Sequence, residues 1–277
     1  MAEVVGCFAL NHTPLLILRA DRPAPEFRRR AFGHFERVGK LLGERGAEAL
    51  VVFGNDHLQA FFLDRLPALA VGVASRFRPV ASEPWLPERP GGRSGEAALG
   101  LYLLQALMAG GFDPAACHEL PIDHSVVVPL HRMGDPPIPL VPVHQNTVAP
   151  PLAPAARAFE LGRAVRRALE AYPGLRRVGV LATGGLSHWI GTPEMGLIDE
   201  FWDRKVIDLC AQGRADRLAK WSQPEIDAGG NGGNEIRNWL AAAAAAGNTR
   251  AECWMYQPEP LWYIGVTIVE WPVGPPC

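Results

Sequence analysis

Apolar residues in this chain gather into short continuous runs, and stretches of helical periodicity separate them. Val4 to Leu10 is the first run; it stops at Asn-His-Thr-Pro and reads as a buried strand opening into a loop. Pro25 to Arg45 repeats its apolar positions at helical spacing and ends at Gly46. Ala49 to Phe53 is rich in β-formers and runs into Gly54-Asn-Asp-His57. Leu69 to Val73 predicts another strand, and residues 76–95, rich in Pro, Gly and Arg, predict an ordered surface loop. Glu96 to Ala109 returns to helix, closed by Gly110-Gly111, and Ile138 to Val143 is a strand flanked by prolines. A Pro-rich turn at 149–154 leads to an amphipathic helix from Ala155 to Ala171. Arg177 to Ala182 is a buried strand running into Thr183-Gly-Gly-Leu-Ser-His188. A glycine-rich connector, 226–233, precedes a helix from Asn234 to Ala246, whose six alanines at 241–246 are strong helix formers. Trp262 to Trp271 closes the chain as a strand. This rhythm predicts an α/β fold with a central mixed sheet flanked by helices. Without an internal repeat or a long low-complexity linker, residues 1–277 are expected to form one catalytic domain.

Composition narrows the function classes. The 277 residues are 48% hydrophobic and 20% charged, as in ordinary globular proteins, and can bury a large core. A formal charge of −2 gives no electrostatic reason for a nucleic acid or an anionic membrane as partner. The first apolar stretch is short, broken by Asn11 and His12, and has no basic leader, so neither a signal peptide nor a membrane span is expected. Cys7, Cys117, Cys210, Cys253 and Cys277 are scattered and form no CxxC pair, which argues against a disulfide framework and a thiolate zinc site. A cytoplasmic location follows as the expectation, with any metal bound through imidazole and carboxylate.

Three histidines occupy equivalent places. His12, His57 and His188 each follow a predicted strand, and in open α/β sheets ligands bind beyond the carboxyl ends of strands. Together they suggest a metal site or an acid/base site, without naming the reaction. His124 is a fourth candidate, although its neighbour Asp123 is not expected to face it. His34, His118 and His131 read as structural, and His144, at the end of a strand, carries little weight. Glu235 follows Gly229-Gly-Asn-Gly-Gly-Asn234 at a helix start, where a carboxylate is electrostatically favoured whether or not it has a function.

Five ordered segments carry a family resemblance. They are Asn11-His-Thr-Pro-Leu15, Gly54-Asn-Asp-His-Leu-Gln-Ala-Phe61, Ile122-Asp-His-Ser-Val-Val-Val-Pro-Leu130, Ala182-Thr-Gly-Gly-Leu-Ser-His188 and Gly232-Gly-Asn-Glu-Ile-Arg-Asn-Trp239. The chain resembles the class III (type II) extradiol ring-cleavage dioxygenases, and Gly196-Leu-Ile-Asp-Glu-Phe-Trp-Asp203 looks closer to their protocatechuate-type branch. The resemblance implies that His12, His57 and Glu235 hold Fe(II), that His188 is the acid/base, and that His124 lies near substrate and oxygen. Two imidazoles and a carboxylate are the facial triad of non-haem Fe(II) oxygenases, which leaves positions for a catechol and O2. The expected product is a ring-opened semialdehyde-type acid.

Ser125 stands where relatives often carry glycine. The protocatechuate-type branch covers its site with a small α-subunit or an appended segment, and none follows Cys277 here. A separate lid chain or a homo-oligomer is therefore expected. The same donor set would also suit a zinc-dependent hydrolase, and a catalytically silent binding relative is the other alternative. Loop 76–95 and the aromatic-rich stretch Trp254 to Tyr263 are the places to look for substrate contacts.

Overall fold

In the computed structural model, residues 1–87 and 89–273 are described; Cys277 lies outside them. The elements are β1 (Glu3–Leu10), α1 (Leu15–Leu18), α2 (Pro25–Glu44), β2 (Ala49–Gly54), β3 (Leu69–Gly72), β4 (Arg76–Phe77), β5 (Arg93–Ser94), α3 (Ala97–Ala109), β6 (Ala115–Cys117) and α4 (His124–Arg132). They continue with β7 (Leu140–Gln145), α5 (Ala155–Ala171), β8 (Arg177–Thr183), α6 (Glu200–Ala211), α7 (Ala215–Leu218) and α8 (Gln223–Asp227). A 3-10 turn (Asn231–Glu235), α9 (Ile236–Ala245), β9 (Glu252–Glu259) and β10 (Ile264–Trp271) complete the described chain.

Eight strands form one mixed sheet in the order β6-β3-β7-β2-β8-β1-β10-β9. Its centre, β7-β2-β8-β1, is parallel, and β3 and β10 join it antiparallel on either side. Parallel strands covered on both faces read as unbroken apolar runs, which is why β1, β2 and β8 stand out in the sequence. Alternate side chains leave the sheet in opposite directions. Cys7, Ala9, Val51 and Phe53 enter the core that holds α3, α5 and α9; Phe8, Leu10, Leu50 and Val52 enter the one beneath α2 and α4. The expected central mixed sheet flanked by helices is thus present.

Several local expectations change. The loop 76–95 is not wholly superficial, because β4 pairs with β5 and Phe77, Val80 and Leu86 enter the core. The alanine run 241–246 does more than favour helix: it is buried throughout, and α9 packs on α5. The last helix starts at Ile236 rather than Asn234, since residues 231–235 wind into a 3-10 turn. The last strand starts at Ile264, leaving Trp262 and Tyr263 in a turn. Among the described residues, no helix is long and apolar enough to cross a membrane.

Candidate metal centre

Because β2, β8 and β1 are adjacent and parallel, their carboxyl ends share one edge of the sheet. His57, His188 and His12 follow those ends. Glu235 reaches the same place from the far side of the chain, on the 3-10 turn ahead of α9. Its Oε1 lies 2.9 Å from His12 Nε2 and 3.4 Å from His57 Nε2, and its Oε2 lies 3.9 Å from His188 Nε2. His124, first residue of α4, completes the group: one nitrogen from each of His12, His57 and His124 falls within a common 4.8 Å. The sequence-predicted site residues are therefore all brought together.

Three of the four histidines are anchored through Nδ1. The Nδ1 of His57 is 2.8 Å from Asp123 Oδ2, which also accepts from the His57 backbone N–H at 2.8 Å. His124 Nδ1 is 2.5 Å from Glu83 Oε1, and its backbone N–H donates to Oε2 of the same carboxylate. His188 Nδ1 lies 3.0 Å from the Leu186 carbonyl. In all three, an acceptor engages Nδ1 and leaves Nε2 as the nitrogen available to the shared space, the arrangement found behind metal-binding imidazoles. His12 Nδ1 is buried and has no partner among the described residues.

Asp123 thus orients His57 and caps α4 through the Ser125 N–H, and it is not the partner of its neighbour His124. The partner is Glu83 from loop 76–95. Nothing in the sequence singled it out, because an acid in a loop has no periodicity to betray burial. Asn55 and Asn238 were missed too. Asn238 donates to Asn55 Oδ1 and to the Thr183 carbonyl, tying α9 to the ends of β2 and β8, while Asn55 Nδ2 is 3.3 Å from Glu235 Oε1. Asn238 falls in a quoted segment, but helix-interior asparagine carries no signal by itself. His144 is buried with both ring nitrogens unpartnered among the described residues, and it does not line the cavity.

Close approach is what lets Glu235 in. The Gly185 N–H donates to its Oε2 at 2.6 Å. At Gly184 (φ +101°) a Cβ would sit 2.3 Å from that same oxygen, so both the backbone angle and the space require glycine. Burial would raise the Glu235 carboxyl, yet His12, His188 and His57 hold it well below the usual carboxylate range. Asp123 is likewise held down against its burial, chiefly by His57. Burial also disfavours a charged His57, but Asp123 and Glu235 outweigh it and push the group up to about 10. Burial drives His12 down, against the opposing pull of Glu235. Two ionised carboxylates around neutral or displaceable imidazole nitrogens suit a divalent cation of the first transition row.

The four imidazoles and Glu235 line one end of a cavity of about 410 Å³, whose remaining wall includes Leu15, Trp189, Ile190, Met195, Tyr263 and Ile264. A polar end with an apolar body is the usual form of a small-molecule site.

Residues 6–267 match the family described as the catalytic LigB subunit of aromatic ring-opening dioxygenase. A 2,3-dihydroxyphenylpropionate/2,3-dihydroxicinnamic acid 1,2-dioxygenase of Cupriavidus necator is 30% identical, over 92% of this chain and 94% of its own. The enzyme of the same name from Photorhabdus laumondii is 28% identical over 96% of both chains. A gallate dioxygenase of Pseudomonas putida is 33% identical over 53% of this chain and 44% of its own. The crystal structure of an uncharacterized protein from Escherichia coli K12 superposes with a TM-score of 0.57 at 16% identity, over 95% of this chain and 99% of that one, a likeness of fold. With nearly its whole length matched, the chain belongs to the LigB family of aromatic ring-opening dioxygenases.

Proposed function

We propose that residues 1–277 act as one catalytic domain, a non-haem Fe(II) extradiol dioxygenase that opens the ring of a catechol with O2. The observation that carries this reading is the meeting of His12, His57 and Glu235, with His188 and His124 beside them, at the polar end of an apolar cavity. His12 Nε2, His57 Nε2 and the Glu235 carboxylate would hold the metal. When bound, the ferrous ion supplies positions for two catechol oxygens and O2 and lets electron density pass between them.

The remaining work falls to the chain. His188, its Nδ1 engaged by the Leu186 carbonyl, presents Nε2 as the base that takes a catechol proton and later returns it during ring opening. His124, steadied by Glu83, donates to the negative charge that develops on the oxygen-derived fragment. The apolar wall excludes water from that charge. Both atoms of O2 enter the product, a semialdehyde-type acid. Free Cys7, Cys117, Cys210 and Cys253 support a reducing, cytoplasmic setting. Ile190 and Met195, which line the cavity, are also about half exposed (48% and 56%), in favour of a covering chain: a second copy or a small lid subunit.

Anaerobic reconstitution with Fe(II), then a catechol panel and O2, tests the reading. Oxygen uptake with a yellow product is expected, whereas zinc should support neither. No uptake across the panel overturns it, and turnover with zinc in the absence of oxygen would install the hydrolase instead. The 4.8 Å cluster of His12, His57 and His124 favours a second ligand set, with His124 as third donor. Metal content separates the two: Glu235→Gln should lose iron and His124→Ala retain it, the reverse result marking the all-histidine site.

A further inference from the structure

A second cavity, of about 200 Å³, lies beside the end of α4 opposite His124, and the chemistry above does not use it. Arg76, Arg89 and Arg93 line it, together with Gly92, Ser94 and Leu130. Antiparallel pairing sets Arg76 opposite Ser94 and Phe77 opposite Arg93. Gly91 and Gly92, both at φ +78°, turn the chain back toward β5; a Cβ on Gly92 would lie 2.6 Å from the Phe77 carbonyl, so the turn requires glycine there. Arg76, although exposed, is fixed by donating from Nη1 to the Gly91 carbonyl at 2.8 Å. Arg93 is only 5% exposed, and its Nη2 lies 2.5 Å from Asp135 Oδ1. Asp135 is itself shared with His131, whose Nδ1 is 3.1 Å from Oδ2. Three permanent cations thus meet one carboxylate. Among the described residues, no carboxylate pairs with Arg76 or Arg89, and no acidic side chain lines the cavity. Burial pulls the Arg93 guanidinium below its usual value, Asp135 opposes the fall, and the charge of Arg89 adds to it.

We infer that this cavity is an anion site, which holds a compact dianion between the guanidinium groups of Arg76, Arg89 and Arg93. Each guanidinium presents several N–H donors in one plane, a fork that fits the oxygens of a phosphate or a carboxylate. Once Asp135 is counted, two positive charges remain, and a dianion neutralises both. The volume is below the roughly 300–1,000 Å³ of sites for drug-sized ligands, so a nucleotide or a peptide is too large. Inorganic phosphate and a short dicarboxylate share the required chemistry. The inference stands apart from the ring-opening reading, because none of these residues lines the histidine cavity. An anion here also ties β4 to the turn before β5, at the root of the loop that carries Glu83 to His124.

Isothermal titration of the full-length protein, metal-free so that the anion cannot reach iron, tests the site with inorganic phosphate, succinate and chloride at constant ionic strength. Phosphate or succinate should saturate one site per chain, the tighter of the two identifying the source, while chloride gives no saturable heat. Arg76→Gln and Arg89→Gln should each weaken binding by roughly 5–20-fold, between the worth of an exposed ion pair and that of a charged hydrogen bond. Arg89→Glu should abolish it. Arg19→Gln, which removes the cation lining the histidine cavity, should leave it unchanged. Hydrogen exchange locates the anion independently. The amides of Gly92 and Gly95, bonded to the carbonyls of Arg89 and Ser75, should exchange several-fold more slowly when it is bound, and this slowing should vanish in Arg89→Glu. No saturable binding of either dianion, or binding that Arg76→Gln and Arg89→Gln leave unchanged, overturns the inference.

Discussion

His12, His57, His124 and His188 share one cavity yet are fixed by different neighbours, and that division separates their tasks. His12 and His57 face Glu235 Oε1 at 2.9 and 3.4 Å, while His188 stands off at 3.9 Å from the other oxygen. Under the proposed assignment, the two imidazoles that bracket one carboxylate oxygen are the ligands, and the third, at longer range and with its Nδ1 already engaged, is the base. His12→Ala should therefore abolish iron retention, measured by metal analysis after desalting. His188→Ala should keep iron near stoichiometric while turnover falls by about 10²–10⁴, the usual contribution of a positioned acid/base. Metal loss in His188→Ala would reverse the division. From sequence, each histidine alone was as compatible with a hydrogen-bonded loop residue, and only the shared position after strands hinted at convergence.

At the scale of elements, the 3-10 turn 231–235 matters more than its length suggests. It carries Glu235 in and presses on His188 from the other side: a Cβ on Gly232 would lie 2.2 Å from His188 Nε2. Gly232 has no left-handed φ, so an alanine there meets a steric obstacle and no backbone strain. Gly232→Ala should displace the ring by a fraction of an ångström to an ångström. A shift of that size at a reacting group costs about 10²-fold in rate, with iron content retained and the melting temperature little changed. Iron lost together with activity would show that the turn positions Glu235 and not His188. The turn was legible only as a glycine-rich connector, because its purpose lies in contacts with residues far away in the chain, His188, His57 and His12 among them. Other elements were hidden for local reasons. In α4, a run of three valines and Pro129 argue against helix, yet Asp123 caps it and the core covers it. In β9, an edge strand that mixes Glu252, Gln257 and Pro258 with aromatics, neither a clean alternation nor an apolar run appears. The central strands were readable since burial on both faces leaves no such ambiguity.

For the whole molecule, Asp203 connects the site to the global pH response. Fully buried on α6, it accepts from the Ser187 N–H at 2.7 Å and from Tyr256 Oη at 2.8 Å, joining the His188 loop to β9. Burial dominates the hydrogen bonds from Ser187 and Tyr256 and raises its carboxyl to about 6, against 3.8 when exposed. A folded state that binds the proton more tightly than the unfolded chain loses stability as pH rises between those two values. The penalty is absent below about 3.8, grows to about 6, and then stays at roughly 3 kcal/mol. Glu235 and Asp123 act in the opposite sense: held below the usual carboxylate range, they add stability at neutral pH that is lost on acidification. Wild-type melts alone would blend these slopes, whereas the difference from Asp203→Asn isolates one. Asparagine keeps an acceptor for the Ser187 N–H, and its amide can donate to the Tyr256 hydroxyl. The variant should be more stable than wild type by about 1–3 kcal/mol at pH 7.5, with the gain shrinking toward pH 4.5, in urea melts of the metal-free protein. A gain independent of pH, or a loss that deepens with rising pH, would mean that the ionised carboxylate supports the fold. Asp203→Ala removes both connections at once and should lower His188-dependent turnover besides, because the backbone that carries the base is then no longer tied to α6.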